Sequence, residues 1–250
     1  MSSEYEAPHL KLRQVTPLVI VVGDPFRVEI LAKLCDHPKE LAWNREYRSF
    51  SVTYKAVPLT ICSHGIGGPG AAICFEELIK LGAKCIIRLG TCGSLQPDLV
   101  SQGDLVVSLA AAREDGHTEA FVPKGFPAVS DPLVALTLKQ EAEKLQLPDE
   151  GRVFAGLTLT HAIFYPSPAG NRHLKEYADL GCLSVDMEIS TLFVVCSVRG
   201  VKAGAMAVID GSPFKWEEGN YDPHGTRVSE GKKRMFIAGL ETIVAMNGKV

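Results

Sequence analysis

Val19-Ile20-Val21-Val22-Gly23-Asp24-Pro25-Phe26-Arg27 sets four consecutive β-branched residues against a glycine, an acid and a proline. A short run that is apolar at every position suits a strand buried on both faces of a sheet. Pro25 directly after an acid suits the first turn of a helix, with Asp24 as its N-cap. The segment therefore predicts a strand that enters a helix through Gly23. Glycine also lets a ligand approach the backbone, and a helix N-terminus with Arg27 one turn in favours an anion. The capping and anion-binding readings both remain open here.

The same grammar repeats outward from this segment. Apolar, β-branched runs recur at Leu18 to Val22, Leu59 to Cys62, Cys85 to Leu89, Leu105 to Ser108, Val153 to Thr160, Leu183 to Val185 and Ala203 to Ile209. Helical patterns lie between them at Phe26 to Cys35, Gly70 to Leu81, Asp131 to Leu145, Ala169 to Leu180, Ile189 to Arg199 and Ser229 to Met246. Strands alternating with long helices predict an α/β fold, a three-layer αβα arrangement around a central mixed sheet. Glu40 to Tyr54 reads as an antiparallel pair. Gly211 to Arg227, aromatic and charged, reads as a surface loop able to cover a site.

At 250 residues, with no visible repeat or linker, the chain reads as one domain over 1–250. Its 46% hydrophobic and 22% charged residues are ordinary for a folded protein. A net charge of −3 gives no reason to expect nucleic acid or an anionic membrane as partner. Neither a signal peptide nor a membrane span is visible, so a cytoplasmic location is the default expectation. The seven scattered cysteines read as reduced packing residues, without the spacing of a metal site.

Four further segments carry chemistry. Ile86-Ile87-Arg88-Leu89-Gly90-Thr91-Cys92-Gly93-Ser94 places an arginine inside an apolar strand, which is costly unless it meets an acid or a phosphate. Gly90 to Gly93 would then offer amides and a hydroxyl at the strand end, where α/β sheets gather ligands. Ser63-His64-Gly65-Ile66-Gly67-Gly68-Pro69-Gly70 is a glycine-rich turn before a helix at Ala71. It lacks the dinucleotide fingerprint, and His64 reads as a satisfied turn residue. Val185-Asp186-Met187-Glu188-Ile189-Ser190 sets two acids at a strand end and a helix start. The helix dipole accounts for one of them, and Glu188 has two oxygens to accept from vicinal sugar hydroxyls. Asp210, in Ala207-Val208-Ile209-Asp210-Gly211-Ser212, is either a turn former or a partly buried acid with a raised pKa suited to donate a proton.

In this order the segments resemble the nucleoside phosphorylase family, which includes hexameric purine and uridine phosphorylases. The likeness rests on Gly23-Asp24-Pro25-x-Arg27, Asn44-Arg45-Glu46-Tyr47, Ser63-His64-Gly65, Arg88-x-Gly90-Thr91-Cys92-Gly93, Met187-Glu188 and Asp210-Gly211, and runs from about Val15 to the C-terminal helix. Ser94-Leu95-Gln96-Pro97-Asp98-Leu99 and Pro213-Phe214-Lys215-Trp216 resemble the purine branch found in apicomplexan parasites. The resemblance implies phosphate binding by Gly23, Arg27, Arg88 and Thr91, with Arg45 supplied by a neighbouring subunit. It implies ribose binding by Met187, Glu188 and a neighbour's His9. It further implies base binding by Cys92, Gly93, Phe164, Val185, Asp186 and Trp216, and Asp210 as the catalytic acid at purine N7.

The activity so implied is phosphorolysis of purine ribo- and deoxyribonucleosides such as inosine and guanosine, serving purine salvage. The co-substrate is inorganic phosphate, with no other cofactor and no metal. The implied assembly is a hexamer, a trimer of dimers with shared sites. Two departures stand out: Asp186 replaces the glutamate common in purine enzymes, and Ser167-Pro168-Ala169-Gly170-Asn171-Arg172 lacks the Gln-x-Arg grip on uracil. The second lowers a uridine phosphorylase reading. Arg27, Arg45 and Arg88 argue against a methylthioadenosine-type nucleosidase, which uses water. Asp210, Glu188 and the arginines together argue against an inactive nucleoside-binding protein.

Overall fold

The computed structural model describes residues 5–146, 151–165 and 172–250. The elements in chain order are β1 (Leu18–Val22), α1 (Pro25–Ala32), β2 (Asp36–Asn44), β3 (Tyr47–Tyr54), β4 (Val57–Ser63), α2 (Gly68–Lys80), β5 (Cys85–Ser94), β6 (Leu105–Glu114), α3 (His117–Phe121), β7 (Ala128–Val129), α4 (Pro132–Lys144), β8 (Val153–His161), α5 (Arg172–Asp179), β9 (Ser184–Asp186), α6 (Ile189–Arg199), β10 (Lys202–Gly211) and α7 (Thr226–Met246). A 3-10 turn, Trp216–Glu218, lies before α7.

One mixed sheet joins the strands. β1 is paired in parallel with both β4 and β5, and β5 is paired in parallel with β10. β10 then runs antiparallel to β6, β6 parallel to β8, β8 parallel to β9, and β9 antiparallel to the end of β5. These pairings close a ring around β5, β10, β6, β8 and β9, while the β2–β3 hairpin and β4 extend the sheet from β1.

Burial on both faces explains the unbroken apolar runs. In β1, Leu18, Ile20 and Val22 pack with α1, α4 and α7, whereas Val19 and Val21 pack with α2 and α6. The period-2 alternation of strand side chains thus feeds two cores. Each buried aliphatic side chain contributes roughly 1.5–3 kcal/mol. The three-layer mixed architecture predicted from the alternation is the one observed.

Several boundaries differ from those predicted. β5 does not end at Leu89. It continues to Ser94 because Gly90, Thr91 and Cys92 pair with Ala207, Val208 and Ile209, and Gly93 and Ser94 pair with Val185 and Ser184. Ladder partners on both sides override the poor strand propensity of the glycines. α2 begins at Gly68, earlier than the predicted Gly70, since Pro69 is tolerated in a first turn. The short elements α3 and β7 carry too little periodicity to be foreseen. The first residues of the helix predicted from Ala169, and most of the segment that lacks the Gln-x-Arg pattern, lie outside the described residues.

Candidate active site

At the β1–α1 junction the Asp24 side chain accepts a hydrogen bond from the Phe26 amide at 2.8 Å and caps α1, with Pro25 in the first turn. Capping therefore accounts for Asp24, and the anion-binding potential passes to Arg27. Its Nε lies 3.8 Å from Asp24. Burial, opposed by Asp24 and assisted by Arg88, lowers its pKa, and Asp210 is also within electrostatic reach.

Arg88 is buried on the α2–α6 side of β5. Its Nη2 donates to Glu188 and stands 3.5 Å from Asp186. Gly90 makes this possible, because a Cβ there would collide with the Arg88 guanidinium. Nε and Nη1 of Arg88 have no hydrogen-bond partner among the described residues. Both acids prove to be in service. Glu188 accepts from the Gly67 amide at 2.7 Å as well as from Arg88. Burial would raise its pKa, but Arg88 and the Gly67 amide hold the carboxyl below its ordinary range.

Asp186 accepts from Thr160 Oγ1 at 2.7 Å and from the amides of Glu188 and Ile189 at 2.9 Å. Burial pushes it up to about 6 against the pull of Arg88. It is thus the residue that satisfies the first amides of α6 and fixes where Glu188 points. Met187 between them is half-buried.

Asp210 is no turn residue. Its strand continues to Gly211, and the β10–β5 register skips it between Ile209 and Gly211. A β-bulge of this kind re-aims one side chain out of the ladder. Burial pushes Asp210 up to about 6, while a hydrogen bond with Thr91 and the charges of Arg27 and Lys232 pull the other way. Thr91, expected to bind phosphate, thus also touches the candidate acid.

An aromatic wall stands beside it. Phe164 meets Trp216 edge-to-face at 5.0 Å, Trp216 stacks on Tyr165 at 5.9 Å, and Tyr221 lies 5.3 Å from Trp216. Burial and the nearby Asp210 raise the Tyr221 phenol. A Cβ on Gly93 would meet Pro213 at 3.1 Å and Val185 at 3.2 Å, so these three share one wall, next to buried Cys92.

The loop after Gly211 is fastened along its length. Ser212 Oγ donates to the Ser94 carbonyl, Lys215 pairs with Asp98, and Gln102 Nε2 bridges the carbonyls of Asp210 and Asn220. The expected cover is therefore a tethered strap over the site.

His64 departs most clearly from expectation. Its ring is fully buried, packs edge-to-face on Phe75 at 5.5 Å, and has no well-aligned hydrogen bond on either nitrogen among the described residues, with only the Gly65 backbone near enough to contribute. A buried unsatisfied polar group costs about 1–3 kcal/mol. Burial and Arg88 push it down to about 4.

Among the described residues His9 and Arg45 make no hydrogen bond or ion pair with this cluster. His9 is held by Glu77 at 2.7 Å, and Asn44 donates to the His9 carbonyl at 2.7 Å. Arg45 is exposed at the β2–β3 turn with φ 55. The site residues that sequence reasoning missed are Tyr165, Tyr221, Gln102 and Lys232, which donates to the Pro223 carbonyl at 2.6 Å. The aromatic content of the strap pointed towards Tyr221. Nothing separated Lys232 from an ordinary solvent-facing helix lysine.

A buried and a half-buried guanidinium, an ion-paired carboxylate, a raised aspartate and an aromatic wall meet at the carboxyl ends of parallel strands. Such an arrangement is chemically suited to an anion and a stacked ring. A family model described as the Phosphorylase superfamily matches residues 17–244, and the chain belongs to that superfamily. It is 43% identical over 243 residues to a purine nucleoside phosphorylase of Plasmodium vivax, covering 96% of this chain and 97% of the relative. It is 37% identical over 202 residues to a uridine phosphorylase of Haemophilus influenzae, covering 76% and 78%. The crystal structure of purine nucleoside phosphorylase from Toxoplasma gondii in complex with immucillin-H superposes with a TM-score of 0.93 at 40% identity, covering 100% of both chains.

Proposed function

We propose that the chain is a purine nucleoside phosphorylase, a pentosyltransferase that cleaves purine ribo- and deoxyribonucleosides with inorganic phosphate as co-substrate, in purine salvage. The observation that carries this reading is the convergence of Arg27 and Arg88 with Asp210, whose carboxyl is held at about 6 beside an aromatic wall. The similarity to purine enzymes at 43% supports it over uridine phosphorylase at 37%.

In this reading Arg27, Arg88, Thr91 and the Gly23 junction hold phosphate in line with the anomeric carbon. Glu188 and Met187 hold the ribose. Cys92, Gly93, Val185, Phe164 and Trp216 line the base. A phosphate oxygen forms the new bond to C1′ as the C1′–N9 bond breaks, and its electron pair passes to the purine. Asp210 gives a proton or a strong hydrogen bond to N7 and relieves the developing negative charge. The products are free purine and ribose 1-phosphate. Asp186 acts through α6 and Glu188 in this reading, which moves it from base contact to positioning.

The single domain completes its site with Arg45 and His9 of a neighbouring copy, in a hexamer. The exposure of Arg45 and its lack of an ion pair with the cluster among the described residues support this, as do the exposed Phe26, Trp43 and Ile66. Among the described residues no helix is long and apolar enough to cross a membrane, and we place the enzyme in the cytoplasm. The test is kcat/KM for inosine, guanosine, adenosine, methylthioinosine and uridine with and without phosphate. Phosphate-dependent cleavage of the 6-oxopurine nucleosides is expected. Equal rates without phosphate would show hydrolysis, and a preference for uridine would move the chain to the pyrimidine branch.

A further inference from the structure

The acidic side chains around Arg88 are committed within the chain: Glu188 to Arg88 and Gly67, and Asp186 to Thr160 and the first amides of α6. Asp210 contacts Thr91 on the side of the aromatic wall. The buried imidazole of His64 is different: no side chain among the described residues bonds either nitrogen, and the Gly65 backbone makes at most a poorly aligned hydrogen bond to the ring. Cε1, the carbon between those nitrogens, lies 3.8 Å from where a Cβ would stand on Gly23. That edge of the ring therefore lies against the junction at which the β1 strand meets the α1 helix, beside the Gly65 carbonyl.

Arg27, Arg88 and Glu188 are all within electrostatic reach of the ring. Arginines only donate hydrogen bonds. Monohydrogen phosphate carries one O–H, and that proton needs an acceptor. A ring pushed down to about 4 is neutral near pH 7, with one N–H and one lone-pair nitrogen.

We propose that His64 is a phosphate-binding residue whose unprotonated nitrogen accepts the O–H of bound monohydrogen phosphate, so that the site selects phosphate over unprotonated oxyanions such as sulfate. This rests on the reading of the site as a phosphorylase site. A site built to bond a substrate proton discriminates strongly against an analogue that lacks it, because the buried acceptor is then left unpaired.

The test is equilibrium binding of inorganic phosphate and of sulfate to the full-length protein by titration calorimetry, for the parent and for His64→Leu. The parent is expected to prefer phosphate. His64→Leu is expected to lose about 10- to 100-fold in phosphate affinity with little change for sulfate. A folded His64→Leu protein that keeps the parent ratio overturns the inference. If that variant does not fold, nitrogen-15 spectra of the parent protein decide, with the His64 signal assigned through His64→Asn. A shift of the unprotonated ring nitrogen with phosphate but not with sulfate supports the inference, and no shift with phosphate overturns it. Absence of phosphate binding by the parent would overturn phosphorolysis itself, a result distinct from an unchanged ratio in the variant.

Discussion

Burial sets the protonation of Asp210, and two predictions follow at the scale of this residue. As the proposed proton donor it is worth about 10²- to 10⁴-fold in rate. Asp210→Ala is expected to lose that turnover on inosine while still binding phosphate, and near-parental kcat would remove Asp210 from the mechanism. The same carboxyl makes a stability statement. Held at about 6 in the fold against its ordinary 3.8, it binds more proton folded than unfolded between those values. Folding stability therefore falls as pH rises from about 4 to about 6, by about 3 kcal/mol, and stays lowered above. Asp210→Asn, which does not ionise, is expected to raise Tm over the parent at about pH 8 and not at about pH 4. An unchanged difference between the two pH values would show that Asp210 is not held protonated. Activity and stability are opposed at this position, as expected where a fold keeps an unwelcome charge for chemistry.

At the scale of elements, the strap between β10 and α7 is placed by backbone contacts as much as by side chains. A Cβ on Gly211 would stand 2.5 Å from the Asn220 carbonyl oxygen and 2.9 Å from Tyr221 Cα. Backbone atoms cannot swing aside as a long side chain can. Gly211→Ala is expected to push the strap and its aromatic residues outward, lowering kcat/KM for inosine about 10-fold or more. Parental kcat/KM would mean that the strap does not shape the nucleoside site. Element positions were largely legible in the sequence, with β1 and α6 falling where predicted at both ends. The ends of β5 and β10 were not, because glycine and aspartate are poor strand formers whose extended state here depends on the facing strand. For the same reason the bulge at Asp210 leaves no local sign.

At the scale of the whole molecule, the proposed sharing of sites makes a prediction that no single chain can meet. Arg45→Ala and Asp210→Ala subunits are each expected to be nearly inactive. Mixed and reassembled, they regenerate sites that take Asp210 from one copy and Arg45 from the other. Recovered phosphorolysis in the mixture, absent from either variant alone, is the expected outcome. No recovery, or sedimentation of the parent as a stable active monomer, would place Arg45 and His9 outside the site.

By itself the sequence determined the α/β class and singled out the candidate reactive residues. Strand burial on two faces, helix starts and an arginine in an apolar strand are local patterns dictated by periodicity and by the cost of burying charge. Only the tertiary structure decided what each charged group faces. It set Asp186 to accept from the first amides of α6, buried His64 beside Gly23 with no side-chain partner among the described residues, and set Asp210 on a bulge next to Thr91. The physical reason is that pKa and hydrogen-bond commitment depend on groups far apart in the chain, as with Arg88 and Glu188, which meet only when β5 and α6 pack together.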